Sequence, residues 1–408
     1  MKEQAPRFIL QIGSQTLRMP IPIFIAFSLC LTIFAQEISH ETIVVNIEVP
    51  VRIFDRGKFV DNLTMDDFEV YEDGKPQEVV AVYLIKKTKI ERKEEEKKKF
   101  SPDVSRHFVL LFQIYDYLPK IEEAIEYFFN NVILPGDSLT IMTPLRTYNL
   151  KSQSLENLSK ETIVKQLREK IRKDTIMGSA EYKSALRDLE DIVAGRFATG
   201  GFETYRMILN RLENLRYVDE KKILNFADFL KAKEGQKYVF LFYQKEVLPQ
   251  FNTKELLQRI STQQDQIDVI GTIYDLFEFF RRDITFNVDH VKQVFADSSI
   301  YIHFLFITKI FFQRLPITSM RPSELVYVDK SEDIYSAFRE MAMATGGRTE
   351  SSANAAFAFK RAVDASESYY LLYYSPLNYK KDSKFKKIRV KVKGKNYRIT
   401  HRAGYFAD

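Results

Sequence analysis

The chain has 408 residues, 45% of them hydrophobic and 28% charged, enough for a globular core spread over two or three domains. The formal charge is +6, but Lys/Arg and Asp/Glu are interleaved along most of the sequence, which argues against a nucleic-acid partner. The single cysteine, Cys30, lies in an apolar N-terminal stretch, so the body of the protein has no disulfide, no thiol nucleophile and no Cys-ligated metal.

Lys2, Arg7 and Arg18 precede MPIPIFIAFSLCLTIFAQE, an apolar run of signal-peptide length that ends at the small residue Ala35. Residues 1–36 are expected to be a cleaved signal peptide. The alternative is an uncleaved anchor over 19–35, because the run approaches bilayer-spanning length. Either reading implies an exported body, periplasmic or extracellular, with membrane contact only through an uncleaved segment.

Residues 42–85 alternate apolar and polar positions as strands do, with a turn at Arg56-Gly57 and a hairpin signal at Asp73-Gly74. They predict an antiparallel β unit. The charge run KKTKIERKEEEKKKFSPDVS (86–105) reads as a solvated linker or an extended hairpin arm. From 106 to 366 the pattern changes. The apolar runs HFVLLFQIY, SLTIM, KYVFLFYQK and IYIHFLFI predict buried strands, and segments of helical periodicity separate them. That alternation implies an α/β domain, doubly wound and Rossmann-like, with a long helical insertion over about 150–232. Residues 367–408 return to β, as three strands expected to pair with 42–85. In IRVKVK, the row of Arg389, Lys391 and Lys393 reads as a solubilising edge.

In such a layout functional positions lie past the C-terminal ends of the strands: Gln113–Tyr117, Thr143–Pro144, Tyr243–Glu246 and Thr308–Lys309. No GxGxxG follows the first strand, and no P-loop, GxSxG elbow or HExxH is present. The five histidines are scattered. His107 and His303 fall at or within buried strands and read as satisfied structural imidazoles. No catalytic constellation and no cofactor is predicted.

The segment NLTMDDFEVYEDGKPQEV (62–79), the run RHFVLLF (106–112), LPGDSLTIMT (134–143) and the ending YYLLYYSP…FKKIRVKVKG…RITHRAGYFA together resemble exported von Willebrand factor A-related proteins of the Acidobacteria type. The resemblance implies an A-type α/β domain whose strand ends carry a metal-ion-dependent adhesion site. In that site Asp-x-Ser-x-Ser, a later Thr and a Ser-Asp-Gly hold Mg²⁺ through hard oxygen ligands. By position these ligands fall on Gln113, Tyr115 and Tyr117, on Thr204 in GGFETY, and on Tyr243, Gln244 and Lys245. The site is therefore degenerate: its carboxylates are replaced by neutral Gln, and Lys245 adds a competing charge. Asp116 lies one residue out of the aligned register.

The resemblance and the residues together imply a non-catalytic exported interaction or adhesion-type module. An unknown protein partner would be met by Gln113, Tyr115, Asp116, Tyr117, Thr204, Tyr243, Gln244 and Lys245. The tyrosines have a second reading, as buried filler of a vacated metal pocket. Two other functions remain open at this point: metal-dependent adhesion through a displaced site using Asp116 and Asp137, and an enzyme of unrecognised type.

Overall fold

A computed structural model describes residues 45–95, 100–150, 155, 158–193, 201–251, 286–308, 325–377, 379–394 and 396–408. The expected signal peptide or anchor lies outside them, as does much of the predicted helical stretch after residue 251. The N-terminal strands are β1 (Ile47–Asp55), β2 (Lys58–Phe59), β3 (Phe68–Glu72), β4 (Lys75–Gln77), β5 (Val79–Lys86) and β6 (Lys89–Glu95). Arg56-Gly57 and Asp73-Gly74 both adopt positive φ at their two turn positions, the geometry of tight hairpin turns. The charge run 86–105 is in part a strand. β6 pairs antiparallel with β5, which selects the hairpin arm over the solvated linker.

The parallel sheet follows. Its strands are β7 (Arg106–Gln113), β8 (Ser138–Met142), β9 (Thr147–Leu150), β10 (Gln236–Gln244), β12 (Ile300–Ile307) and β14 (Thr349–Ser352), with an antiparallel ribbon of β11 (Val247–Phe251) and β13 (Leu325–Asp329) beside them. The spatial order is β9-β8-β7-β10-β12-β14, every neighbouring pair parallel except β8 with β9. The described helices are α1 (Pro119–Tyr127), α2 (Lys160–Gly178), α3 (Ala180–Val193), α4 (Gly201–Arg216), α5 (Glu220–Lys231), α6 (Val288–Asp297), α7 (Glu332–Ala344) and α8 (Ala355–Asp364).

The period of two along each strand divides the core. Phe108, Leu110 and Phe112 of β7 join Phe240, Phe242 and Leu305 beneath α1, α2 and α8. Val109, Val239 and Ile302 point the other way, to α5, α6 and α7. Helices thus cover both faces. The predicted insertion at 150–232 divides by role. α2 and α5 pack on the sheet itself, whereas α3 and α4 form a separate hairpin cemented by Leu189, Leu209, Leu212 and Leu248.

The C-terminal residues make four strands rather than three: β15 (Ser368–Tyr374), β16 (Phe385–Val392), β17 (Arg398–His401) and β18 (Gly404–Phe406). β15 lies between β1 and β5 in a six-stranded sheet, and β17 pairs with the other edge of β1. β16 pairs with β3 and, at its start, with β18. β18 flanks only Phe385, Lys386 and Lys387, so Arg389 and Lys391, both exposed, have β3 as a ladder neighbour on one side. Val51, Ile53, Tyr370 and Leu372 of one sheet meet Phe68, Val70, Ile388 and Val390 of the other in a shared core.

The start of the parallel sheet is held by a buried ion pair. Arg106 donates from Nε to Asp137 Oδ1 (3.0 Å) and from Nη2 to Asp137 Oδ2 (2.6 Å), and also bonds the Val132 carbonyl. Removing one partner strands a buried charge. Asp137→Ala is expected to cost about 3–5 kcal/mol, measured as a lowered urea midpoint. A loss below about 1 kcal/mol, the range of an exposed pair, would contradict this account of the pair.

Candidate functional site

At the C-terminal end of the sheet Gln113 and Tyr243 are register partners on β7 and β10. Gln113 is exposed, while Ile114 buries and turns the chain toward α1, which Pro119 opens at its first position. Gln244, the last residue of β10, is only 1% exposed. Its Oε1 accepts from the backbone N–H groups of Tyr115 (3.1 Å) and Asp116 (2.9 Å). Two donors on one atom fix the amide orientation, because the flipped NH₂ would face N–H groups. Gln244 Nε2 is buried with no hydrogen-bond partner among the described residues.

Two neighbours of that loop are pinned by α3. The Tyr115 hydroxyl donates to the Lys245 carbonyl (2.9 Å), and its ring lies 5.3 Å from that of Tyr182. Burial raises the Tyr115 pKa, so the phenol stays protonated. Asp116 Oδ1 lies 2.9 Å from Lys183 Nζ. Tyr117 is half-buried against the core under α1, and burial raises its pKa too.

Behind this loop lies a second polar layer, in which Tyr243, Lys245 and Glu246 meet side chains from distant segments. The Tyr243 hydroxyl donates to Glu246 Oε1, and Glu246 Oε2 sits 3.0 Å from Arg216 Nε. Arg216 also bonds Asp333 (2.9 Å) and the Lys330 carbonyl (2.8 Å). Burial raises the Glu246 carboxyl while Arg216 opposes that rise. Lys330 is pushed down to about 8 by burial and by Arg216. Lys245 Nζ meets Asp329 Oδ2 at 2.7 Å. Each acid in this layer touches a base, with Arg216 shared between Glu246 and Asp333. The one sequence signal was the Lys245-Glu246 pair directly after an apolar strand; Arg216, Tyr182 and Asp333 come from segments far away in the chain.

Several expectations need correction. Tyr243 is 4% exposed and Gln244 1%, so neither offers contact area to a partner. They bind the loop from within. Tyr115 is likewise held inward by its hydroxyl bond. Thr204 lies in α4, whose next residue, Tyr205, packs with Leu248 in the core of the helical hairpin. The hydroxyl of Thr143 instead closes the β8–β9 turn, accepting from Arg146 N (3.0 Å), and with Tyr148 it donates to buried Asp174. Lys309 falls outside the described residues.

The displaced metal site also fails on geometry. Asp137 precedes β8 and faces Arg106 at the start of β7, whereas Asp116 follows the end of β7. The two carboxylates are therefore separated by roughly 23 Å of strand. The residues at this strand end do not fit a divalent ion either: the Gln244 carbonyl is committed to two N–H groups and Lys183 sits on Asp116. Among the described residues no three His, Cys, Asp or Glu side chains gather as a metal-binding group.

No known protein family matches the chain, and no curated protein is similar to it in sequence. Among solved structures, the human COPII-coat protein Sec24c is similar over 74% of this chain and 44% of that one, at 8% identity and a TM-score of 0.32. The chain thus spans less than half of the Sec24c chain, and a likeness this distant carries no argument about function.

Two of the described histidines are held in place by hydrogen bonds. His107 meets Ser138 Oγ (2.5 Å) and Thr140 Oγ1 (3.3 Å); His401 accepts from Val390 N (3.2 Å) and bonds the Arg402 carbonyl (2.7 Å). His303 has a partner for neither ring nitrogen among the described residues. Burial pushes His107 down to about 4 and His303 to about 3, and lowers His401. The unfolded chain therefore takes up protons that these folded imidazoles refuse. Stability is present above pH ~6.5 and falls as pH drops toward 4, by up to about 1.4 kcal/mol per pH unit for each histidine. The raised Glu246 carboxyl offsets part of one share, since it binds its proton in the folded state first. Urea midpoints measured from pH 7 to 5 should fall, and the slope should be shallower in His107→Asn; a flat profile would contradict the assignment.

Proposed function

We propose that this chain is a non-catalytic, exported interaction protein: a doubly wound von Willebrand factor A-type domain mounted on a β-sandwich, with a protein partner docking at the C-terminal edge of the parallel sheet. The strand order with an antiparallel outer strand, the helices on both faces and the sequence resemblance all support the A-type reading. Export rests on the N-terminal sequence, Lys2 to Ala35. Among the described residues no helix is long and apolar enough to cross a membrane.

The observation that carries the functional reading is an apolar patch at this same edge. Leu145, in the turn after β8, and Ile176 and Met177, at the end of α2, are each about half exposed. They meet where Gly178 packs so closely on Pro144 and Leu145 that a Cβ there would lie 2.8 Å from Pro144 Cβ. Single exposed apolar residues are ordinary, whereas neighbouring ones on two elements fit a contact surface. Exposed Gln113 and the half-buried Asp116 and Tyr117 supply polar and aromatic contacts on the same edge. Recognition here would be aromatic, amide and apolar, with no ion bridging the partners.

The test is in-cell crosslinking of the full-length chain followed by mass spectrometry, wild type against Leu145→Glu/Met177→Glu. The double variant is expected to lose the crosslinked partner while its melting temperature stays within about 2 °C, because both side chains are solvent-facing. An unchanged set of crosslinked proteins would overturn the assignment of this edge.

A further inference from the structure

A cavity of about 230 Å³ lies between the six-stranded antiparallel sheet and the parallel sheet, lined by Arg52, Arg339, Arg348, Arg398 and His303 and by no carboxylate. Arg52 sits on β1, whose alternation sends Val49, Val51 and Ile53 into the sandwich core and Arg52 the other way. It is 2% exposed, and none of its guanidinium nitrogens has a hydrogen-bond partner among the described residues. Its compensation is aromatic, with Cζ 4.1 Å from the Tyr301 ring centroid and 5.4 Å from that of Tyr369. The Tyr238 and Tyr301 hydroxyls lie beside it, and its nearness opposes the rise that burial imposes on them; being neutral, they leave its charge without a counter-ion.

His303, on β12, is also 2% exposed with both ring nitrogens unsatisfied, and its ring stacks on Phe240 at 4.8 Å. It is held neutral by burial beside Arg52 and Arg348, and so presents one N–H donor. Thr349 Oγ1 is a third buried atom without a partner. Arg348 is engaged from behind by Glu350 through Nε, and Arg398 lies over Phe54 at 4.8 Å. Arg339 and Arg398 are exposed and form the mouth.

A buried guanidinium with no carboxylate beside it carries a large desolvation cost, and here it faces further cations. Such an arrangement is stable when an anion completes it. We propose that this cavity is an oxyanion site that takes the phosphate group of a small ligand. Phosphate suits it because guanidiniums from β1, α7, the turn before β14 and β17 converge, and a tetrahedral dianion has enough acceptor oxygens to serve several forks at once. The volume is below that of a drug-sized pocket, about 300–1,000 Å³. It fits a phosphate with a small substituent leaving past Arg339 and Arg398.

The test is titration calorimetry and thermal unfolding of the full chain with inorganic phosphate and with glycerol 3-phosphate, at constant ionic strength set with chloride. At least one of the two should bind saturably and raise the melting temperature, whereas chloride should not. Tighter binding of phosphate assigns the site to the free ion, and tighter binding of glycerol 3-phosphate to a phosphomonoester. Arg398→Gln, at the exposed mouth, should weaken binding about tenfold or more. Arg52→Gln should abolish the phosphate-dependent shift, and if it does not fold, Arg339→Gln replaces it as the second variant. The proposal is overturned if neither anion binds at millimolar concentration, which would mark a merely hydrated cavity, or if both mouth variants bind as the wild type does.

Discussion

The side-chain carbonyl of Gln244 is the acceptor on which the chain's exit from β7 depends. At the centre of the parallel sheet, the connection leaving β7 runs to β8 on one side while β10 continues toward β12 on the other. The loop after β7 is therefore left without ladder partners for its N–H groups. Buried donors in that position must be satisfied or they destabilise the fold. Gln244 meets two of them with one atom, and Tyr115 returns a bond to the carbonyl of the next residue, Lys245. The closure is reciprocal and neutral. A carboxylate at the same place would accept those N–H groups more strongly, but it would also bring a charge that needs a cation.

The neutrality extends outward. Asp116 is answered by Lys183, Lys245 by Asp329, and Glu246 by Arg216, which in turn holds Asp333. These pairs draw the loop after β7, the helical hairpin, the β11–β13 ribbon and the start of α7 into one assembly. The interface between the two β layers has the opposite character. Its cations outnumber its acids, and Arg52 and His303 keep donors that no described residue accepts. The close approach of Gly347 to Ile302, where a Cβ would lie 1.9 Å from the carbonyl oxygen, keeps the chain leaving α7 tight against β12 beside that cavity.

The central strands are legible in the sequence because they are covered on both faces, so their apolar runs are nearly continuous and end abruptly in polar residues. The pairing of β1 with β15 has a weaker signature, alternation at both ends of the chain, and the sequence contains no register information for it. KNYRITHRAGYF illustrates the limit. It reads as one strand, yet it divides at Arg402-Ala403 between two sheets, because Arg402 turns inward to bond the Glu48 carbonyl. At the strand end, positions are legible and orientations are not. Tyr243 and Gln244 follow an apolar run and look ready to leave the core, but pairing to β12 continues through Gln244, so both are still inside it. Arg216 and Tyr182 reach the site from the helical hairpin, which no local pattern connects to β10. The Arg52 cavity has no local signature beyond the single Arg within VPVRIF.

Native-state hydrogen exchange at the Tyr115 and Asp116 amides reads the central interaction directly. Both amides should be strongly protected, should lose that protection in Gln244→Ala, and should exchange at the same rate with and without millimolar Mg²⁺. Rapid exchange in the wild type, or protection that appears only when Mg²⁺ is added, would contradict a strand end closed by a neutral side chain.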